Sequence, residues 1–255
     1  MSNLDGLITH AADLLRGAGC SVALTGAGIS TPSGIPDFRS ADSGLWDQAD
    51  PFAVASISAF QRSPQGFYDW IRPLARLMEQ AQPNPAHHAL ARLESAGLLK
   101  SIITQNIDGL HQRAGSGRVH EVHGHMREAT CIRCHQAVST DGLIGPFLDS
   151  GEVPRCLCGG VLKPNVILFG EQLPAEAVAA ARQDAAACDL MLVGGCSLEV
   201  VPAADLPCVA VDRGSRLIIV NYQPTYLDET ADVVIHHDVA EVLPRLVDMA
   251  INPWR

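Results

Sequence analysis

Long apolar runs and an excess of positive charge are both missing from this sequence. No run approaches the roughly 18 apolar residues that a membrane-spanning helix needs, so no membrane segment is expected. Lys and Arg number 18 against 28 Asp and Glu, which gives a formal net charge of −10. Because the phosphate backbone attracts positive charge, this balance predicts that the protein does not bind nucleic acid directly.

A secretory signal is also lacking, since residues 1–5 carry neither the basic nor the apolar region of one. We therefore expect a cytoplasmic protein. The 8 cysteines are then expected to be metal ligands and buried thiols rather than disulfides. The 255 residues, 47% of them hydrophobic, are enough for one large domain or for a large and a small one.

Apolar runs that predict strands alternate along the chain with segments of helical spacing. The strands are predicted at 21–24, 98–104, 189–193, 217–220 and 231–235. The helices are predicted at 4–17, 85–93, 175–187 and 241–250. Asn84 followed by Pro85 is an N-cap and first-turn signal for the second helix. Since each strand is apolar throughout, the pattern indicates an α/β fold with a doubly wound, Rossmann-like parallel sheet covered on both faces.

Two segments interrupt this rhythm and predict a smaller domain. Residues 51–82 have the spacing of a helical insert, and residues 127–160 are polar, rich in Cys and Gly and poor in core residues. The sheet domain is accordingly expected to comprise residues 1–50, 83–126 and 161–255. The insert and the Cys-rich module are expected to form the small domain together.

The most informative segment is the glycine-rich loop from Gly26 to Arg39, which follows the first predicted strand. Gly26 and Gly28 would let backbone N–H groups approach a phosphate closely. The dehydrogenase fingerprint requires a third glycine, where this chain has Thr31, and an acidic residue after the next strand, which is missing. A hydride-transfer enzyme is therefore disfavoured. On these glycines alone, a tight turn that binds nothing is an equal alternative.

Three further predicted strands end in polar clusters, at 104–111, 194–197 and 221–225. The carboxyl ends of parallel strands meet at the same edge of a sheet, where doubly wound folds bind their ligands. The glycine-rich loop is thus expected to share its edge with three other polar turns, which favours a nucleotide site over an empty turn.

In order along the chain, these motifs resemble those of the sirtuins of the bacterial type, which are NAD-dependent protein-lysine deacylases. The resemblance extends over nearly the whole chain. The motifs that carry it are the glycine-rich loop, 104–108, His123-Gly124, a cysteine cluster, 163–171, 195–197 and 221–225. It implies a protein-lysine deacetylase with NAD as co-substrate and acylated-lysine proteins or peptides as partners.

The resemblance implies a reaction in which the acyl oxygen attacks the nicotinamide ribose and nicotinamide leaves. A ribose hydroxyl, activated by a base, then attacks the product of that step. His123 matches the family's general base, and an imidazole suits the task because its pKa lies near the working pH. A structural histidine is the alternative, since the chain has 10. The flanking His120 and His125 do not match the family.

The resemblance also places the NAD site. Asn106 and Asp108 would hold the nicotinamide ribose and complete the catalytic set, while Phe38 would exclude water from the reacting sugar carbon. Cys196 stands where the family usually has a small hydroxyl residue, which would weaken one hydrogen bond. The residues expected to bind NAD are Gly26, Ala27, Gly28, Ile29, Asp37, Phe38, Arg39, Gln105, Asn106, Ile107, Asp108, Gly195, Cys196, Ser197, Asn221, Tyr222, Gln223, Asp238 and Val239.

Residues 165–169 form an apolar run that, in the family, accepts the substrate peptide as an added strand. A buried sheet strand is the alternative for part of this run. Ile167 is expected in the wall of the acyl-lysine tunnel and in a backbone contact to the acyl-lysine amide. The expected substrate residues are Ile167, Leu168, Phe169, Gly170 and Glu171.

The helical insert bears on the acyl group. Family members that prefer acidic acyl groups carry a Tyr and, three residues later, an Arg in this insert. Here Tyr68 is followed at that spacing by Ile71, and Arg72 lies one position further on. Acidic acyl groups are therefore disfavoured, and acetyl or other neutral acyl groups are expected.

Four cysteines predict a metal site. Cys131 and Cys134 are followed, after 21 intervening residues, by Cys156 and Cys158. Two close pairs of thiolates are typical of tetrahedral zinc in a closed structural site, and the segment between them cannot form a core of its own. The family usually separates the second pair by two residues, so Cys156 departs from its pattern. His135 is a minor alternative ligand.

Other functions that use the same NAD site stay open at this point. They are deacylation of other acyl groups, mono-ADP-ribosyl transfer and NAD sensing without catalysis. A sensor need not keep a set such as Asn106, Asp108 and His123, which favours an enzyme. Nothing in the sequence forces an oligomer, so a monomer is expected.

Overall fold

Six strands form one parallel sheet in the computed structural model, which describes residues 3–37 and 50–252. Numbered in chain order among nine strands, they are β1 Ser21–Thr25, β2 Ser101–Thr104, β3 Val119–Glu121, β7 Leu190–Gly194, β8 Arg216–Val220 and β9 Val233–Ile235. The order across the sheet is β3-β2-β1-β7-β8-β9, and every pairing is parallel. The direction of winding reverses between β1 and β7, so a crevice for ligands is expected there.

Helices cover both faces of this sheet and form a separate apolar core with each. The helices on one face are α1 Asn3–Gly17, α5 Pro85–Ser95 and α10 Val239–Ile251. Those on the other face are α8 Ala175–Ala187 and α9 Leu206–Val211. Neighbouring strand residues point to opposite cores, as Ala23 and Leu24 show. The predicted doubly wound fold is confirmed. No helix in the described ranges has the length and apolar character needed to cross a membrane.

A smaller part of the molecule adjoins the carboxyl edge of the sheet. Its helices are α2 Pro51–Val54, α3 Ile57–Arg62, α4 Pro64–Gln80 and α7 Ile144–Ser150. Its strands, β4 Gly124–Cys131, β5 Ala137–Ser139 and β6 Leu162–Val166, form an antiparallel sheet in the order β5-β4-β6. A third apolar core joins α4 to β6, α7 and the short helix α6 Leu110–Arg113.

The antiparallel sheet is the main feature that the sequence pattern does not reveal. Strand β4 alternates poorly between buried and exposed residues, and its pairing with β6 shifts register between Gly124 and Ala129. Strand β4 crosses the predicted domain boundary at 127, and β6 begins just after the predicted boundary at 161. This sheet therefore contains residues from both sides of those boundaries. The division of the chain into a larger and a smaller domain stays a prediction.

Asn84 begins α5 as predicted and also ties this helix to the glycine-rich loop. Its side-chain oxygen accepts a hydrogen bond from the Ala86 N–H at 2.9 Å, and Pro85 occupies the first turn. Its amide nitrogen donates to the Ile29 carbonyl at 2.7 Å and to the Ser33 hydroxyl at 2.9 Å. The helix cap therefore holds the loop that follows β1 in place.

Candidate active site

A cavity of about 570 Å³ lies between the carboxyl edge of the parallel sheet and the smaller part of the molecule. The turns that follow four strands meet in its wall. From these turns, the lining residues are Gly26, Ala27, Gly28, Gln105, Asn106, Ile107, Gly195, Cys196, Ser197, Asn221, Tyr222 and Gln223. The structure thus brings together residues that the sequence holds nearly 200 positions apart.

Three glycines allow the turns after β1 and β7 to pack directly on each other. A Cβ atom at Gly28 would lie 2.9 Å from the Gly195 carbonyl oxygen, and one at Gly26 would lie 3.1 Å from Cys196. Gly195 itself has a positive φ of 58°, and a Cβ there would collide with Ile29. These glycines are required by the closeness of two backbone turns, in addition to any approach of a phosphate.

His123 lies in the turn between β3 and β4 and faces the cavity. Its Nδ1 is 3.2 Å from the Gln105 carbonyl oxygen, which accepts a hydrogen bond from the protonated nitrogen. This tautomer leaves Nε2 unprotonated and able to take up a proton. Burial lowers the pKa of His123 below its usual value, so the imidazole is neutral at pH 7.

The backbone after this histidine requires a glycine, Gly124. It has a φ of 78°, and a Cβ there would collide with the backbone of Asn165 in β6. The His123 carbonyl oxygen also accepts a hydrogen bond from the Ile167 N–H at 2.9 Å. Histidine and expected substrate segment are therefore held together by backbone contacts on both sides of Gly124.

A buried network supports the turn after β2. The Asn106 side-chain nitrogen donates to the Gly26 carbonyl at 3.1 Å and to the Ser30 hydroxyl at 3.0 Å. The Ser30 hydroxyl in turn donates to Asp108 at 2.7 Å, and the Leu110 N–H donates to the other Asp108 oxygen at 2.9 Å. Burial raises the pKa of Asp108, while these two hydrogen bonds act in the opposite direction.

Within this network, Asp108 contacts the site indirectly. Asp108 is absent from the cavity lining among the described residues, and it reaches Asn106 through Ser30. Ser30 was missed by the sequence analysis, since a serine in a polar loop has many ordinary uses. The sequence signal for Ser30 is its position within the glycine-rich loop, which is one of the motifs shared with the family.

Cys196 stands in the cavity wall, where its Sγ lies 3.2 Å from the Gln105 side-chain nitrogen. A thioether or thiol sulfur is a weak acceptor, so the contact joins the turns after β2 and β7 less strongly than a hydroxyl would. The weaker hydrogen bond to NAD expected at Cys196 stays a prediction.

The remaining residues expected at the NAD site fall into three groups. Asp37, Ile107 and Val239 line the cavity, whereas Ile29 is fully buried in the core beneath the loop. Asp238 caps α10 by accepting a hydrogen bond from the Ala240 N–H at 2.7 Å. Phe38 and Arg39 lie outside the described residues. The binding roles of all these residues stay predictions.

The substrate segment 167–171 lines the cavity next to His123. Its first part continues from β6, so the alternative of a sheet strand applies only up to Val166. The Phe169 N–H donates to the Ala55 carbonyl at 2.9 Å, and the Phe169 carbonyl accepts from the Ile57 N–H at 3.0 Å. The segment is thereby held on its far side by the turn between α2 and α3.

One face of α4 closes the cavity and was missed as part of the site. The helical spacing of residues 51–82 did not reveal this, because periodicity cannot distinguish a core face from a cavity wall. The residues of this wall are Phe67, Trp70, Ile71 and Leu74.

Tyr68 and Arg72 are directed away from the cavity. The Tyr68 hydroxyl donates to the Leu162 carbonyl at 2.6 Å, and the Arg72 guanidinium donates to the carbonyls of Leu148 and Asp149 at 2.6 Å. Burial raises the pKa of Tyr68 further above its usual value. Neither side chain is available to an acidic acyl group.

The four predicted cysteines converge at one end of the antiparallel sheet. All four Sγ atoms lie within 4.8 Å of one another, and the pairs Cys131–Cys158 and Cys134–Cys156 are 3.5 Å and 3.7 Å apart. A tetrahedral zinc with Zn–S bonds of about 2.3 Å separates its sulfur atoms by about 3.8 Å. The one-residue spacing of Cys156 and Cys158 is therefore compatible with a zinc site.

The backbone also favours a thiolate at Cys131. The N–H groups of Cys134 and Arg133 donate toward the Cys131 sulfur and lower the pKa of that thiol to about 6. Four thiols would fill all four positions of a tetrahedral zinc and leave none open to a substrate. Such a donor set is typical of a structural zinc site.

A model of the Sir2 family matches residues 26–202 of this chain. Among curated proteins, the chain is 47% identical over 243 residues to NAD-dependent protein deacylase 2 of Archaeoglobus fulgidus, which covers 94% of this chain and 95% of that protein. It is 45% identical over 227 residues to NAD-dependent protein deacetylase 1 of Geobacillus kaustophilus, covering 89% of this chain and 91% of that protein.

Solved structures of Sir2 proteins have the same fold. One, described as the structural basis for the mechanism and regulation of Sir2 enzymes, has a TM-score of 0.91 and 45% identity, covering 98% of this chain and 100% of that chain. Another, a Sir2 variant with a deacetylated p53 peptide and 3'-O-acetyl ADP-ribose, has a TM-score of 0.90 and 41% identity, covering 96% and 98%. On its sequence and its fold, this chain belongs to the Sir2 family.

Proposed function

We propose that the protein is an NAD-dependent protein-lysine deacetylase, which transfers the acyl group from lysine to ADP-ribose and releases nicotinamide. The observation that carries this function is the position of His123. Its neutral imidazole faces the cavity. The turns expected to bind NAD and the substrate segment line the same cavity. Curated relatives are named NAD-dependent protein deacetylases or deacylases.

His123 is suited to take a proton from a hydroxyl group. The Gln105 carbonyl fixes the proton on Nδ1, and the backbone contact to Ile167 sets the distance between the base and the substrate segment. A positioned general base contributes about 10²- to 10⁴-fold to a rate. In this site, the base is partly buried and neutral, so it is ready to act at pH 7.

The side-chain oxygen of Asn106 is left to accept a hydrogen bond because its side-chain nitrogen is already used. Both amide hydrogens donate within the protein, one to Gly26 and the other to Ser30. The oxygen is therefore oriented to accept a hydrogen bond, as a ribose hydroxyl would supply. Asp108 fixes this orientation through Ser30.

NAD, when bound, supplies ADP-ribose as the acyl acceptor and nicotinamide as the leaving group. The turns fit such a ligand, since Gly26 and Gly28 bring the backbone of the first loop to the cavity wall without side chains in the way. Asn221 and Gln223, in the turn after β8, would hold the adenosine end. The four-cysteine cluster would hold zinc away from this cavity, where the metal would stabilise the antiparallel sheet.

The substrates are acylated-lysine peptides, as in relatives solved with propionylated and myristoylated peptides. We also place the protein in the cytoplasm as a monomer that does not bind nucleic acid directly. The net charge of −10 supports the absence of direct nucleic-acid binding.

The activity is tested with an acetyl-lysine peptide, NAD and the purified protein. We expect deacetylated peptide, nicotinamide and acetyl-ADP-ribose in equal amounts, measured by chromatography and mass spectrometry. Absence of deacetylated peptide would contradict the proposal. Transfer of labelled ADP-ribose to protein without any need for acylated peptide would show a mono-ADP-ribosyltransferase instead.

The acyl group should be neutral. The charged side chains in the described lining are carboxylates, at Asp37, Glu171 and Glu199, and the wall formed by α4 is apolar. Because burying an unpaired carboxylate costs several kcal/mol, we expect succinyl-lysine to react at least about 100-fold more slowly than acetyl-lysine. Initial rates on matched peptides at fixed NAD measure this ratio. Succinyl and acetyl rates within tenfold of each other would contradict the expectation.

The pH dependence of the reaction should report His123. Its base form is required, and burial lowers its pKa below the ordinary 6.5. The rate should therefore decrease as pH falls and His123 becomes protonated, with the midpoint of this decrease below pH 6.5. The measurement is kcat/KM for the peptide against pH, with the low residual rate of His123→Ala as control. An acid limb centred at or above 6.5 would contradict this prediction.

A further inference from the structure

Two charged side chains pair with each other: Lys163, which precedes the substrate segment, and Glu171, which ends it. The Lys163 Nζ lies 2.9 Å from a Glu171 carboxylate oxygen, and the two side chains are only 12% and 22% exposed. Lys163 belongs to β6, and Glu171 follows the segment that lines the cavity. The ion pair therefore closes the chain from 163 to 171 into a loop.

Both side chains also bind the backbone inside this loop. The Lys163 Nζ donates to the carbonyls of Val166 at 2.8 Å and Pro164 at 3.1 Å. The Glu171 carboxylate accepts a hydrogen bond from the Leu168 N–H at 2.8 Å, and the Glu171 N–H donates to the Leu168 carbonyl at 3.0 Å. Charge-assisted hydrogen bonds such as these are stronger than neutral ones.

These contacts use several backbone groups of the segment but, among the described residues, leave the Ile167 carbonyl oxygen without a donor, in a residue that lines the cavity. The Ile167 N–H is used by His123, and both backbone groups of Phe169 are used by Ala55 and Ile57. Within residues 3–37 and 50–252, no donor is hydrogen-bonded to the Ile167 carbonyl oxygen. A backbone carbonyl without a partner beside an apolar wall is ready to accept a hydrogen bond from a ligand.

We propose that Lys163 and Glu171 are positioning residues for the acyl-lysine, because their ion pair fixes the loop that carries the Ile167 carbonyl, the backbone group already expected to contact the acyl-lysine amide. This inference rests on the proposed deacetylase function. It also changes the part expected of Glu171, whose carboxylate is occupied by Lys163 and by the Leu168 N–H instead of the peptide.

The test uses Lys163→Met, Glu171→Gln and the double variant. Methionine keeps the length of the lysine side chain without its charge, and glutamine keeps an oxygen for the Leu168 N–H. We expect about a tenfold rise in the KM for acetyl-lysine peptide in each single variant, with the KM for NAD unchanged. Because the two side chains act as a pair, the KM for peptide in the double variant should be no higher than in the more affected single variant.

A matched ion pair serves as the control. Arg92 pairs with Asp248 at 2.7 Å on the surface between α5 and α10, so Arg92→Met should leave both KM values unchanged. An unchanged peptide KM in Lys163→Met and Glu171→Gln would overturn the inference. So would an equal rise in the KM for peptide and NAD, which indicates general loss of structure, or full additivity in the double variant.

A binding measurement separates failure of this inference from failure of the proposed function. The Kd of a fluorescent acetyl-lysine peptide is measured by anisotropy without NAD, for the native protein and the same variants. A native protein that binds the peptide but releases no acetyl group contradicts the deacetylase function, whereas the shift in Kd still tests the ion pair. The same tenfold weakening supports the inference, and an unchanged Kd in both single variants overturns it.

Discussion

Replacing His123 by Ala should lower kcat/KM for deacetylation about 1,000-fold while the protein stays folded. Without the imidazole, the ribose hydroxyl has no group in reach that is neutral, partly buried and aligned by a backbone carbonyl. The surrounding contacts survive, because the hydrogen bond between the His123 carbonyl and the Ile167 N–H involves only the backbone. Deacetylation is measured by chromatography of the peptide at saturating and at low peptide concentrations.

The same variant should release nicotinamide more readily than it completes deacetylation. Release precedes the step in which the base acts, so nicotinamide formation should fall less than formation of deacetylated peptide. His10→Ala is the control, since His10 is an exposed histidine on the outer side of α1. A loss below tenfold in His123→Ala, or an equal loss in His10→Ala, would remove His123 from the role of general base.

Replacing Cys156 by Ala should abolish zinc binding and lower the melting temperature by at least about 6 °C. Three thiolates hold zinc less tightly than four, and Cys156 is buried against Cys131 and Leu162 in the core of the antiparallel sheet. A loss of about 3 kcal/mol in a chain of this size corresponds to about 6–12 °C. Metal analysis gives the zinc content, and differential scanning calorimetry gives the melting temperature.

Cys20→Ala is the matched control for this measurement. Cys20 is partly buried beside the parallel sheet and does not belong to the four-cysteine cluster. It should keep one zinc ion per chain and shift the melting temperature by no more than a few degrees. Native protein without zinc, or Cys156→Ala with a full complement of it, would contradict the assignment of this cluster.

The larger part of the fold could be predicted from the sequence because its signals are local and agree with one another. Strands buried on both faces are apolar throughout, and the strand predicted at 217–220 is shorter than β8 by only one residue. The cap at Asn84 is equally local, since one side chain and the following Pro85 decide it. The second predicted strand began at 98, whereas β2 begins at Ser101 and the preceding residues form a turn.

Other features depend on contacts that no local pattern contains. Strands β4 and β6 are held as a sheet by the cysteine cluster at one end and by Gly124 at the other, and β4 lacks regular alternation of apolar residues. Ser30 gains its role only because Asn106 and Asp108 approach it from a distant turn. The resemblance to a family indicated the residue types in the site, but the hydrogen-bond partners required the structure.

The backbone hydrogen bond between His123 and Ile167 has a consequence for motion in the site. Because β4 begins directly after His123 and pairs with β6 directly before Ile167, base and acceptor carbonyl are fixed to the same small sheet. Any movement of this small sheet relative to the parallel sheet would therefore carry the base and the acceptor carbonyl together and leave the spacing between them unchanged.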